Sequence, residues 1–267
     1  MPDALSELTM TTRAIRLTIR SHFLKEPVMR ATQKTTLILL PGWVLGPRPL
    51  MPLARDIERH DDAISVQCVA YPRLKSRRLD VWLEALDAQL PDDVWLGGWS
   101  MGGMLAAALA ERRGGRTPGV ITMGAGARVT PPIHAGGNLP SPESWPGWFD
   151  QGRHDAWHLG KRLLKTLPRA GARQSVTALA LLGAMDLRQT LPRLTMPQLH
   201  LYGEQDFLIP ASARQVVAGH LSPAGHMQLI PEAGHGFVID QADQTARAIV
   251  AFMQGASRGS NKLEEPL

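Results

Sequence analysis

The stretch VWLGGWSMGGMLAAALAERRGG, residues 94–115, decides the fold. It opens with an apolar run typical of a buried β-strand and closes with an alanine-rich segment typical of an α-helix. Between the two, residues 98–102 read Gly-Trp-Ser-Met-Gly and fit the pattern Gly-x-Ser-x-Gly. Glycines beside the serine let a strand and a helix approach closely around a tight turn that exposes the serine hydroxyl. The stretch therefore predicts that Ser100 is a nucleophile, and a glycine-rich turn without chemistry is the alternative.

Short apolar runs alternate with longer helical patterns along the chain. This alternation is typical of an α/β fold, in which a mostly parallel central sheet carries helices on both faces. The predicted strands cover residues 35–40, 63–69, 94–99, 119–123, 198–202 and 227–230. The predicted helices cover residues 49–59, 79–90, 101–113, 211–220 and 237–253.

Residues 130–190 interrupt this alternation. Proline, glycine and tryptophan are dense up to residue 147, and two helical patterns follow over residues 154–167 and 170–187. We expect this interval to form a short helical cap, inserted between two parts of the core that cover residues 1–129 and 191–254. The last stretch, GASRGSNKLEEPL at residues 255–267, has the polar composition of a disordered tail.

Composition and charge narrow the class of protein. A chain of 267 residues with 44% hydrophobic residues can bury a sizeable core. The net charge of +5 is spread without a run of like charges, so we expect no nucleic-acid binding, whereas a small acidic partner fits. Cys68 is the only cysteine, which excludes an internal disulfide and suits the reducing cytoplasm. The first 20 residues lack the apolar core of a signal peptide, and no apolar run is long enough to span a membrane.

A serine nucleophile needs a general base, and the base needs a carboxylate that orients it. In the fold predicted by the Gly-x-Ser-x-Gly turn, these residues follow one another as serine, acid and histidine. His235 lies between two glycines in LIPEAGHGFVID, after a strand pattern and before the last helix, and is the expected base. Asp206 in LHLYGEQDFLIP follows another strand by one short loop and is the expected acid, with Glu204 as the alternative.

The negative charge that develops on the attacked carbonyl oxygen needs two hydrogen-bond donors. One is the backbone N–H of Met101, the residue after the predicted nucleophile. The second should come from the loop after the first strand, which reads Pro41-Gly42-Trp43-Val44. Trp43 is the expected donor, and the alternative is that it forms only a hydrophobic wall.

These motifs together resemble the α/β-hydrolases and, within them, the BioH-type carboxylesterases that remove the methyl ester from pimeloyl-acyl carrier protein in biotin synthesis. The resemblance extends over residues 35–253. It is carried by GWSMGG at residues 98–103, PGW at 41–43, ESWPG at 143–147 and MDLRQTLPRLTMPQLHLYGEQDFLIP at 185–210.

The resemblance implies an α/β-hydrolase fold and an esterase that is active without a metal or an organic cofactor. It implies Ser100 as nucleophile, Asp206 and His235 as its partners, and Trp43 and Met101 at the oxyanion hole and acyl site. An acyl carrier protein bearing the ester is the implied partner, and we expect a monomer. A general short-acyl carboxylesterase or thioesterase would share every catalytic residue. A non-catalytic binding protein of this fold would usually lack one of the three.

Three features depart from the family pattern. Pro41 stands where the family has a histidine before the glycine of the loop. YPRLKSRR, residues 71–78, replaces a Pro-Gly-x-Gly turn and makes one rim of the expected site basic. The predicted cap is also shorter than in the biotin esterases, and these departures bear on the substrate more than on the fold.

Positive charges gather in the cap pattern over residues 159–173, which contains no acid. We predict that these side chains meet the phosphate and the acidic surface of an acyl carrier protein, and a solvated helix face is the alternative. The residues are Lys161, Arg162, Lys165, Arg169 and Arg173.

Overall fold

The computed structural model describes residues 34–43, 45–128 and 172–261. Within these ranges the chain forms a six-stranded sheet in which neighbouring strands run parallel. The order across the sheet is β2-β1-β3-β4-β5-β6. All six predicted strands are present with small shifts of their bounds: β1 (Thr35–Leu40), β2 (Ile64–Cys68), β3 (Trp95–Trp99), β4 (Val120–Met123), β5 (Gln198–Gly203) and β6 (Gly225–Ile230).

Helices connect the strands and cover the sheet. They are α1 (Met51–His60), α2 (Leu79–Asp87), α3 (Met101–Arg113), α4 (Ala172–Ala184), α5 (Ala211–Ala218), α6 (Phe237–Asp240) and α7 (Ala242–Asn261). Short 3₁₀ turns cover Arg48–Leu50, Gly114–Arg116 and Leu191–Arg193. Among these described helices, none is both long and apolar enough to cross a membrane.

The sheet separates two apolar clusters, as β1 illustrates. Leu37 and Leu39 belong to one cluster, and Ile38 and Leu40 belong to the other. Successive side chains of a strand point to opposite faces, so a strand buried on both faces must be apolar throughout. Helices α2 and α3 contribute to the cluster around Ile38, and α1 and α7 contribute to the cluster around Leu37. The predicted fold, a parallel sheet with helices on both faces, is confirmed.

The strand order reverses at β1. From β1 the chain moves outward to β2, and it then returns to form β3 on the other side of β1. In open parallel sheets, ligands bind beyond the carboxyl ends of the strands at such a reversal. Residues 41–43 follow β1 and Ser100 follows β3, so both lie at this point of the sheet.

The end of the chain differs from the expectation in two ways. The single helix predicted for residues 237–253 is divided into α6 and α7, because Gln241 leaves the helical conformation with φ −128° and ψ 45°. The tail predicted from residue 255 is wrong over residues 255–261, since α7 continues to Asn261. Met253 is buried and Ala256 packs against the same cluster, so tertiary contacts override the polar composition of this segment.

Part of the predicted domain division lies outside the described residues. This holds for residues 130–171, which include the predicted cap helix at 154–167, and for residues 1–33 and 262–267. Helix α4 lies within the second predicted cap helix, residues 170–187. Its Ala178 and Leu181 are buried in the cluster around Ile38. The division into a core and an inserted cap stays a prediction.

A chain of buried polar side chains runs through the first half of β5. Thr122 Oγ1 lies 2.8 Å from Nδ1 of His200, and Nε2 of His200 lies 3.3 Å from Oε1 of Gln198. The amide of Gln198 donates to Ser222 Oγ at 2.6 Å. Because an amide oxygen only accepts, the neutral imidazole with its proton on Nε2 fits both contacts. Burial lowers the pKa of His200 to about 4 from its ordinary value of 6.5.

This buried histidine makes the stability of the fold depend on pH. His200 takes up its proton near pH 6.5 in the unfolded chain and near pH 4 in the folded chain, so its contribution is complete above pH 6.5 and is lost as the pH falls towards 4. We expect the wild type to lose about 3 kcal/mol of unfolding free energy over this interval relative to His200→Gln. Urea unfolding of the wild type and of His200→Gln at a series of pH values measures this difference. His220→Gln, which replaces a histidine outside the buried network, is the control. Equal pH slopes for wild type and His200→Gln would contradict the assignment.

Candidate active site

Ser100 lies on a tight turn between β3 and α3. Its backbone has φ 55° and ψ −120°, a conformation that residues with a Cβ rarely adopt. The Ser100 N–H donates to the carbonyl of Met123 at 2.8 Å, which ties the turn to the end of β4. A Cβ added to Gly98 would lie 2.2 Å from the carbonyl carbon of Gly102. The strand and the helix therefore touch through backbone atoms, which any larger residue at position 98 would prevent.

His235 and Asp206 form a buried pair. Nδ1 of His235 lies 2.8 Å from Oδ2 of Asp206, and the two residues are only 5% and 3% exposed. The other carboxylate oxygen, Oδ1, accepts the backbone N–H groups of Leu208 and Ile209 at 2.9 Å each. The loop after β5 therefore holds the carboxylate in place. The carboxylate in turn orients the imidazole of His235, with Nδ1 towards Asp206.

Glu204, the alternative acid, has a different partner. Its Oε2 accepts the backbone N–H of Glu232 at 3.0 Å at the exposed edge of the loop. Glu204 thus joins two loops at the surface, whereas Asp206 reaches the imidazole of His235 in the interior. The geometry favours Asp206 as the partner of the histidine.

Two residues that the sequence analysis did not assign hold His235 from its other sides. The indole Nε1 of Trp99 donates to the His235 carbonyl oxygen at 3.0 Å, and the two rings lie 5.7 Å apart. Gly124, directly after β4, has φ 58°, and a Cβ added there would lie 3.0 Å from Cε1 of His235. Trp99 is the variable residue before the serine in the motif, so its position was visible in the sequence, but its contact with residue 235 was not.

The two predicted oxyanion donors belong to segments that touch. Met101 is fully buried as the first residue of α3. A Cβ added to Gly102 would lie 2.4 Å from the carbonyl oxygen of Pro41, so the loop after β1 contacts the first turn of α3. Trp43 is 36% exposed, and its side chain is therefore not part of the core. The loop brings the backbone of residues 41–43 to the helix that begins after Ser100.

Comparison with known proteins identifies the family. The sequence profile of the Alpha/beta hydrolase family matches residues 30–248. The chain belongs to the alpha/beta hydrolase family. Two solved structures have the same fold as this hydrolase: the enol-lactonase from Burkholderia xenovorans LB400 and a thermophilic esterase from Thermogutta terrifontis. Their TM-scores are 0.63 and 0.61 at 18% and 19% identity, and the matches cover 83% and 84% of this chain and 92% and 91% of theirs.

Curated relatives of the hydrolase include a methyl ester esterase and a bifunctional protein of biotin biosynthesis. The pimeloyl-[acyl-carrier protein] methyl ester esterase of Stenotrophomonas maltophilia is 30% identical over 257 residues, which are 83% of this chain and 93% of the relative. The biotin biosynthesis bifunctional protein BioHC of Cellvibrio japonicus is 29% identical over 252 residues, 86% of this chain. The hydrolase spans about half, 49%, of the length of this bifunctional relative.

The rim formed by the segment after β2 is basic. Arg73, Lys75 and Arg77 alternate with partly buried residues and are exposed, while Leu74 packs against the core. Arg78 is ion-paired with Asp80. Among the residues that the structure describes, none offers a carboxylate to Arg73, Lys75 or Arg77. The segment is therefore basic and exposed, and its role as a rim of the site stays a prediction.

The cap cations are largely outside the described residues. Lys161, Arg162, Lys165 and Arg169 lie in the interval 130–171. Arg173 belongs to helix α4, but the described part of the structure does not include its side chain. Their predicted contact with a carrier protein stays a prediction.

Gly124 offers a test of how closely His235 must be held. Gly124→Ala and Gly114→Ala both place a Cβ at positive φ, 58° and 55°, but only the first meets an atom within 4 Å, in the ring of His235. We expect each variant to lose about 1–3 kcal/mol of unfolding free energy. Only Gly124→Ala should lower kcat for p-nitrophenyl acetate, by about tenfold or more, because it displaces the imidazole. Urea unfolding and steady-state kinetics measure the two effects. Equal kcat values for both variants would show that the ring position is not critical.

Proposed function

We propose that the chain is a serine carboxylic ester hydrolase that cleaves the methyl ester of pimeloyl-acyl carrier protein. The observation that carries the proposal is the buried hydrogen bond between His235 and Asp206, at the same edge of the sheet as the strained turn of Ser100. A general base with an orienting carboxylate is what a serine hydroxyl needs to act as a nucleophile. The relatives named as methyl ester esterases support the choice of substrate.

The first half of the reaction forms an acyl-enzyme. Asp206 faces Nδ1 of His235, so Nε2 is the nitrogen that takes the proton of Ser100 as its oxygen attacks the ester carbonyl. The backbone N–H groups of Met101 and Trp43 stabilise the oxyanion, and the N-terminus of α3 adds a favourable field. The ester bond then breaks, and His235 returns its proton to the leaving methoxide, which departs as methanol.

The second half releases the acid. His235 takes a proton from water, whose oxygen attacks the acyl carbonyl bound to Ser100. The same donors hold the second oxyanion, and the proton returns to the serine oxygen as the carboxylic acid leaves. Every step uses side chains and backbone groups of this chain, so the mechanism requires no metal and no organic cofactor. The single cysteine suits a reducing compartment, and we assign the reaction to the cytoplasm.

The basic rim supports a substrate carried on an acidic partner. Arg73, Lys75 and Arg77 are exposed without a neighbouring carboxylate among the described residues, and the sequence adds the cap cations 161–173. A carrier-bound ester brings both an acidic protein surface and the phosphate of its pantetheine arm to the site. Opposite charges of this kind accelerate association more than they change the chemical step.

The three catalytic residues should act as one unit. We expect Ser100→Ala and His235→Ala each to lower kcat/KM for p-nitrophenyl acetate on the order of 10⁴-fold or more, with little further loss in the double variant, because neither group works without the other. Asp206→Asn should also lose most activity, and Glu204→Gln should retain it. Steady-state kinetics on the purified variants measures these values. Losses that multiply in the double variant would contradict the roles of Ser100 and His235, and a greater loss in Glu204→Gln would contradict the role of Asp206.

The carrier-bound substrate predicts a selective dependence on salt. We expect kcat/KM for a carrier-bound methyl ester to fall on the order of tenfold between low and physiological ionic strength, whereas the value for a small neutral ester barely changes. Replacing Arg73, Lys75 and Arg77 together by serine should cause the same selective loss. The control replaces Arg55, Arg112 and Arg258, which are exposed on α1, α3 and α7, by serine and makes the same change of net charge.

Two outcomes separate the proposed substrate from a general esterase. The chain should restore growth of a biotin-auxotrophic strain that lacks the methyl ester esterase, and its Ser100→Ala variant should not. Failure to restore growth, together with high activity on simple esters and an equal salt response for free and carrier-bound esters, would favour a general short-acyl esterase or thioesterase.

A further inference from the structure

Tyr71 joins the segment after β2 to the loop after β1. Its hydroxyl donates a hydrogen bond to the carbonyl oxygen of Pro41, thirty positions earlier in the chain. The ring of Tyr71 meets Trp82 edge-on at 5.9 Å, and the indole Nε1 of Trp82 donates to the Ser76 carbonyl at 2.7 Å. The hydroxyl is therefore placed by packing against a fully buried tryptophan, and the whole segment is anchored at both of its ends.

The hydrogen bond fixes the orientation of a peptide plane in the loop. In a trans peptide the C=O and the following N–H point in opposite directions, so holding the Pro41 carbonyl also directs the N–H of Gly42. The next carbonyl, that of Gly42, accepts the N–H of Leu45 at 3.1 Å, and this directs the N–H of Trp43. Both peptide planes of the loop are thus held through their carbonyl groups.

The same carbonyl oxygen lies against the first turn of α3. A Cβ added to Gly102 would be 2.4 Å from the Pro41 oxygen, which leaves no free space between the loop and the helix. The N–H of Met101 begins that helix. A movement of the Pro41 carbonyl would consequently change the distance between the two backbone segments that supply the proposed oxyanion donors.

Proline at position 41 contributes little hydrogen bonding of its own to the loop. It has no N–H, and its side chain offers no hydrogen-bonding group, so its carbonyl is the only polar group that it contributes. Burial raises the pKa of Tyr71, and the phenol therefore remains a protonated donor. A tyrosine whose hydroxyl reaches that carbonyl supplies the support that residue 41 itself lacks.

We propose that Tyr71 is a positioning residue for ester hydrolysis, whose hydroxyl orients the loop of residues 41–43 so that its N–H donor meets the oxyanion. The inference rests on the proposed function, because it assigns a role in the oxyanion hole of the same reaction. It adds a residue on the β2–α2 segment to the groups that position the reacting atoms, which otherwise come from the segments after β1, β3, β4, β5 and β6.

The test is Tyr71→Phe, which keeps the ring and its contact with Trp82 and removes only the hydroxyl. We expect kcat for p-nitrophenyl acetate to fall about tenfold, less than for removal of a donor itself, with KM changed by no more than about twofold. Phenylboronic acid forms a tetrahedral adduct with a serine nucleophile and places an oxygen at the oxyanion position. Its inhibition constant should rise by about the same factor as kcat falls, because both depend on the same donors.

Ser222→Ala is the matched control. It removes another buried hydrogen bond, that between Gln198 Nε2 and Ser222 Oγ, at the amino ends of the strands and away from the site. Both variants should have a lower Tm than the wild type, but Ser222→Ala should retain the wild-type kcat and inhibition constant. A similar loss of kcat in Ser222→Ala would mean that general loosening explains the effect, and would overturn the role of Tyr71.

The remaining outcomes distinguish this inference from the proposed function. An active wild type with unchanged kcat and inhibition constant in Tyr71→Phe would overturn the role of Tyr71 and leave the proposed function intact. An increase of KM alone would also overturn it, because the hydroxyl would then serve ground-state binding. A wild type that neither hydrolyses esters through Ser100 nor binds phenylboronic acid would overturn the proposed function, and the role of Tyr71 with it.

Discussion

The contact between β3 and α3 through bare backbone is the constraint on which the rest of the structure depends. No Cβ fits at Gly98 or Gly102, because each would lie within about 2.4 Å of backbone atoms of a neighbouring segment. At this close crossing the chain reverses through Ser100, whose φ is positive. The crossing also sets the first turn of α3 against the loop after β1. The predicted nucleophile and both predicted oxyanion segments therefore depend on the absence of a side chain at Gly98 and at Gly102.

The parallel sheet brings the remaining groups to the same place. The carboxyl ends of parallel strands meet at one edge, so the loops after β4, β5 and β6 converge there although they are far apart in sequence. Gly124 after β4 gives room for the imidazole of His235, Asp206 after β5 supplies the carboxylate, and Trp99 at the end of β3 holds the His235 carbonyl. Each of these three strands thus contributes one contact to His235. Because the strands belong to one sheet, these contacts are held more rigidly than they would be on isolated loops.

Local patterns in the sequence predicted the strands and the turn of Ser100, because apolar runs and glycine spacing are properties of neighbouring residues. They favoured Asp206 but left Glu204 open, since both follow β5 within three positions and the folded loop decides which of them reaches the histidine. The extension of α7 past Gly255 was missed because packing against the core decides it, and composition does not. The contact of Tyr71 joins segments that no local pattern connects.

The hydrogen bond between Tyr71 and Pro41 links two departures from the family pattern, namely Pro41 itself and the segment that begins at Tyr71. A proline that offers only its carbonyl and a tyrosine that reaches it form an epistatic pair, in which the effect of a change at one position depends on the residue at the other. The consequence of a replacement at either position therefore depends on whether this hydrogen bond is retained.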